Sequence, residues 1–160
     1  MAFRSLKFNS TNLVVAIASV TLLAACDSKG PSGTTVDDGS AKLSSKYDVN
    51  VYKSGTKESK IIWDCQFKLL AIKPQHLKDI SEPNNLKNKE NLLVSILAGV
   101  SINRLSQKFP NHKCVRIVTN IPITVGKGLT GIAWGENLTQ DEQQFTRKLF
   151  ENTSKIYEFT

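Results

Sequence analysis

Apolar residues are distributed along the chain in three regimes. From Leu13 to Ala25 they form one run, interrupted only by Ser19 and Thr21. From Asp27 to Lys46 they nearly vanish: DSKGPSGTTVDDGSAKLSSK holds five Ser and three Gly, with only Val36 and Leu43 as sizeable apolar residues. From Tyr47 onward they become periodic. Alternation places Tyr47, Val49 and Val51 on one face of a first strand, Tyr47–Tyr52, and Ile61, Trp63, Cys65, Phe67, Leu69 and Ala71 on one face of a second, Lys60–Ile72. The period then lengthens. Leu92, Leu93, Ile96, Leu97, Val100 and Leu105 lie near one helical stripe, which predicts a helix over Asn88–Phe109 stopped by Pro110. Val115, Ile117, Ile121 and Ile123 predict a third strand, Cys114–Thr124, and Gly126-Lys127-Gly128 turns into a short fourth, Leu129–Trp134. Thr139 and Glu142 form the ends of a capping box that opens a second helix, with Phe145, Leu149 and Phe150 facing inward. The period of Lys155–Thr160 fits helix and strand equally.

The expected fold is therefore α+β: a small antiparallel sheet in ββαββα order, packed against two helices. A segment as polar as 27–46 cannot bury enough surface to offset its ordering entropy, so it reads as a disordered tether. The organisation expected is a leader over 1–25, a linker over 26–46 and one domain over 47–160.

The leader has its own grammar. Arg4 and Lys7 precede the apolar run without any acid, and thirteen residues are too few for a span that needs roughly 20. The run closes on Leu23-Ala24-Ala25-Cys26, which resembles a bacterial lipobox. That resemblance implies a thioether-linked diacylglycerol on Cys26, cleavage before it and acyl chains of the palmitate kind holding the chain on a bilayer. Two or more chains anchor stably where one does so only marginally. Asp27 directly after the cysteine resembles a signal for retention in the inner membrane, with the outer membrane as the alternative. The expected location is thus a bacterial cell envelope, facing the periplasm.

Charge adds little. The 160 residues carry a formal charge of +7, of which Arg4 and Lys7 contribute two. An excess this small favours solubility or an acidic partner over nucleic acid.

Candidate chemistry in the domain is sparse. Export would expose Cys65 and Cys114 to oxidising conditions, which favours a Cys65–Cys114 disulfide over two buried thiols, although Cys114 alternates off the Val115/Ile117 face. His112 and His76 match no metal-ligand spacing, so no metal is expected. Gly126-Lys-Gly-Leu-Thr-Gly131 has the letters of a dinucleotide motif, but the sequence continues as strand or turn where the motif needs a helix. No carboxylate pair or nucleophile triad stands out. Trp134, beside Gly135 at a strand end, is a candidate interface anchor. Together these features predict a non-enzymatic lipoprotein without a small-molecule cofactor, bound to the bilayer through Cys26 and to an envelope protein as an accessory or assembly factor. The alternatives are an exclusion, immunity or inhibitor lipoprotein and a small periplasmic enzyme.

Overall fold

A computed structural model of the chain describes residues 15–17, 21–24, 50–53, 60–84, 86 and 91–159. Eight strands form one mixed sheet: β1 (Val15–Ile17), β2 (Thr21–Ala24), β3 (Asn50–Lys53), β4 (Phe67–Ala71), β5 (Asn91–Ser95), β6 (His112–Thr119), β7 (Gly128–Trp134) and β8 (Ser154–Phe159). Their spatial order is β3-β2-β1-β4-β5-β6-β7-β8. The four central strands β1, β4, β5 and β6 are mutually parallel, β6 and β7 are antiparallel, and β7 and β8 are parallel again. Among the described residues three helices accompany them: α1 (Lys60–Asp64), α2 (Ile102–Lys108) and α3 (Gln140–Phe150). Two 3-10 segments, Pro74–Asp79 and Ile121–Val125, follow β4 and β6.

This is an α/β layering, and it corrects the expected small antiparallel sheet. The reason lies in Asn91–Ser95, every residue of which is buried. Leu93 faces α2 and the first 3-10 segment with Leu70, Leu77, Leu97, Leu105 and Phe109. Leu92 and Val94 face the opposite layer with Phe67, Val115, Ile117 and Ile132, beneath Phe145 and Leu149 of α3. A strand covered on both faces loses alternation and reads as a continuous apolar run. Such a run of β-length cannot be told from buried helix by period alone. The predicted helix over Asn88–Phe109 is therefore a strand, a connection and the seven-residue α2. The predicted strand Lys60–Ile72 likewise divides into α1 and β4.

Local signals survive better. The Thr139 hydroxyl accepts the Glu142 N–H at 3.2 Å while the Glu142 carboxylate accepts the Thr139 N–H at 2.8 Å, so the capping box forms as read. The ambiguous tail is β8, which returns parallel to β7 after α3 and completes a β–α–β crossover. The third strand ends at Thr119, before Pro122, which sits in a 3-10 segment where its missing N–H is no loss. The sheet's two layers bury Val94, Leu105, Phe109, Val115, Ile117 and Ile132 completely. Each such side chain contributes about 1.5–3 kcal/mol over an exposed one.

Candidate functional site

Parallel strands end together. The carboxyl ends of β4, β5 and β6 therefore open onto one edge of the sheet, the edge at which open α/β folds hold ligands. β4 runs out at Ala71 into exposed Lys73 and Pro74, which starts a 3-10 segment at once. β5 ends at Ser95, fully buried, whose Oγ accepts the Leu97 N–H at 3.3 Å. Ile96 is tied back to β4 through its N–H on the Leu70 carbonyl at 3.1 Å. β6 runs out at Thr119 into Asn120, whose Oδ1 accepts the Leu129 N–H at 2.8 Å and so fastens this edge to the start of β7. The rim is apolar: Ile121 is 86% exposed and Val125 71%, with Ile96 also open to solvent.

The glycine-rich segment lies beside this edge and is closed to ligands. The N–H of Gly126 donates to Ile123, that of Lys127 to Pro122 and that of Gly128 to Thr153, all on main-chain carbonyls at 3.0–3.2 Å. Gly128 is glycine for packing, since a Cβ there would sit 2.9 Å from the Ile123 backbone. No helix follows it; Gly128 begins β7.

A second polar group lies at the other end of the strands. The His112 side chain is fully buried, with Nδ1 2.9 Å from Glu82 Oε2, while Asn111 Nδ2 donates to Glu82 Oε1 at 2.5 Å. Lys68, the second residue of β4 and 3% exposed, donates from Nζ to the Cys65 carbonyl. Burial lowers the Lys68 pKa from 10.5 to about 8, against the attraction of Asp64 and Glu82. Burial, seconded by the Lys68 charge, lowers that of His112 from 6.5 to about 4, against the pull of Glu82. His112 Nε2 has no hydrogen-bond partner. These residues come from positions 68, 82 and 112, and no spacing in the sequence links them.

Of the residues singled out in the sequence, Leu23 and Ala24 lie in β2, whereas Ala25, Cys26 and the tether over 27–46 lie outside the described residues. Cys114 is a free, buried thiol whose Sγ donates to the His112 carbonyl at 3.7 Å, so the expected Cys65–Cys114 bridge is not formed. Burial pushes the Cys114 pKa up to about 11, the opposite of nucleophile activation. Trp134 is half-buried; its indole N–H donates to Glu158 at 2.9 Å and the Arg147 guanidinium lies 5.0 Å from the ring centre. The sequence reading missed Lys73, Ser95 and Asn120 as edge residues, because only a parallel assignment of Leu92–Ser95 brings them to one edge.

Against known proteins, the chain is similar to enzymes of one name. A pyrroline-5-carboxylate reductase of Synechocystis is 36% identical over 90 residues, 56% of this chain and 34% of that protein. The reductase of Haemophilus influenzae is 35% identical over 83 residues, 51% of this chain and 31% of its own length. The chain thus spans about a third of these relatives. Among solved structures, the Streptococcus pyogenes 1-pyrroline-5-carboxylate reductase superposes with a TM-score of 0.65 at 18% identity, over 93% of this chain and 59% of that one. The Plasmodium falciparum pyrroline carboxylate reductase, described with NADP bound, gives 0.53 at 21% identity, over 64% and 40%. These structures share the fold with this chain. No protein-family model matches it.

The similarities correct the functional expectation. A non-enzymatic lipoprotein or exclusion factor, bound to a bilayer and an envelope protein, does not stand when the relatives are enzymes. The expectation that no small-molecule cofactor takes part is at odds with the NADP bound in the Plasmodium falciparum protein that shares this fold. The placement in a bacterial membrane facing the periplasm is at odds with relatives named as reductases rather than envelope proteins. No helix among the described residues is long and apolar enough to cross a membrane.

Proposed function

We propose that this chain contributes the second half of the nucleotide-binding domain of an oxidoreductase of the pyrroline-5-carboxylate reductase type. The observation that carries this reading is the 36% identity over 90 residues to a named reductase, joined to a fold in which β4, β5 and β6 open on one carboxyl edge. The reaction class is reduction of the ring C=N of a cyclic imino acid: a hydride adds to carbon, a proton to nitrogen, and the product is the saturated ring. At the edge this chain offers an apolar rim in Ile96, Ile121 and Val125, which suits a flat ring shielded from water. Asn120 fixes the rim to β7 and so holds it in place.

The cofactor of that reaction class is a nicotinamide dinucleotide, and the described residues fit it only in part. The rim and edge are present, but no cradle for its pyrophosphate is, because the glycine-rich segment has its amides committed internally and leads into a strand. No step is therefore assigned to the cofactor on these residues.

A chimaera tests the reading. The 90 residues of this chain that match the Synechocystis reductase would replace their counterparts in that enzyme, which keeps its own remaining parts. Turnover that depends on both pyrroline-5-carboxylate and the reduced nicotinamide is the expected result, followed as loss of reduced-nicotinamide absorbance. A folded chimaera without turnover would contradict it.

A further inference from the structure

We infer that the described residues of this sheet edge give a nicotinamide dinucleotide no affinity through its pyrophosphate, so that the edge barely distinguishes the dinucleotide from its nicotinamide half. The inference rests on the reductase reading above and deepens it.

Folds of this class grip pyrophosphate with the amides of a glycine turn that joins the first parallel strand to a helix. Here the parallel neighbour of β4 is β1, and Ile17 at its end pairs with Thr21 of antiparallel β2. Three residues separate the two strands, fewer than the roughly four of a single helical turn. No glycine occurs between Val15 and Ala24. Next in the chain after β1 comes a strand, β2, paired antiparallel to it.

Among the described residues, the other places that could serve are also closed. In the glycine-rich segment the N–H of Gly126, Lys127 and Gly128 donate to main-chain carbonyls, and that of Leu129 donates to Asn120. α3 begins after β7, which runs antiparallel to β6, so its amino end lies at the opposite edge, filled by Thr139 and Glu142. α2 starts on the right edge but is seven residues long, and the Ser101 hydroxyl already accepts the Arg104 N–H at 3.3 Å. Lys73 and Lys127 are exposed point charges, whose pull on a phosphate fades at physiological ionic strength.

The test is calorimetric titration of the full chain with NADPH and, separately, with reduced nicotinamide mononucleotide, at near-physiological salt. The two dissociation constants should agree within about threefold, or neither ligand should saturate. NADPH binding tighter by about tenfold or more would overturn the inference. So would displacement of NADPH by inorganic pyrophosphate. Failure of the reductase reading registers elsewhere, in the turnover of the chimaera.

Discussion

Replacing Lys68 by Met should stabilise the protein at neutral pH. Lys68, the second residue of β4, is 3% exposed, and burial lowers its pKa to about 8 from 10.5. A base whose pKa is lower in the fold than in the unfolded chain is disfavoured in its charged form. The cost is therefore present in full below pH 8 and disappears as pH rises towards 10.5. A shift of this size corresponds to about 3 kcal/mol at pH 7, at about 1.4 kcal/mol per unit. Lys68→Met removes the charge and keeps the apolar stem, but forfeits the hydrogen bond to the Cys65 carbonyl, about 1 kcal/mol. The net gain is on the order of 2 kcal/mol at pH 7 and close to zero at pH 10. Buried ions often behave this way when apolar groups of similar volume replace them. Urea unfolding of the full-length wild type and variant at both pH values measures the difference. A variant less stable than wild type at pH 7, or a difference unchanged at pH 10, would refute the reasoning.

Three further outcomes follow from the same packing. His112, with its pKa held down near 4 by burial, binds its proton more readily in the unfolded chain, so stability should fall as pH drops from about 6.5 towards 4, an acid limb that His112→Phe should flatten in pH-dependent melts. Phe109→Ala, which empties a fully buried ring site 5.9 Å from the Trp63 ring, should cost about 3–5 kcal/mol in denaturant unfolding. Cys114 should react with a thiol reagent only as fast as the protein opens, because its thiol is buried with its pKa raised to about 11; rapid labelling of the native chain at that residue would contradict the packing.

What the sequence disclosed depended on whether a signal was local. The Thr139–Glu142 capping box needs only residues three apart, and it forms at 2.8 and 3.2 Å. The antiparallel pairing of β6 with β7 is likewise joined by a short connection, and it was legible as two strands around a glycine turn. The central strands were not. Leu92, Leu93 and Val94 alternate between two buried layers, so the polar half of the strand pattern is missing. Once Leu92–Val100 was read as helix, β4 had no parallel neighbour and the shared carboxyl edge disappeared from view. Lys73, Ser95 and Asn120 then looked like unrelated loop residues. The strand after Gly126–Gly128 was legible for a local reason: Gly128 begins β7. The Lys68–Glu82–His112 group was beyond reach, since only the parallel register of β4, β5 and β6 brings its members together.

The register of β5 is the point on which both the fold and the functional reading depend. In the structure Leu93 is flanked by Lys68 on one side and Cys114 on the other, and Val94 by Leu69 and Val115. Nuclear Overhauser contacts on the isotope-labelled full chain should therefore link the backbone of Leu93 to β4 and β6 in the parallel pattern. Contacts three and four residues apart running from Leu92 to Val100, without cross-strand contacts to Lys68 or Cys114, would restore a helix there and dissolve the shared edge.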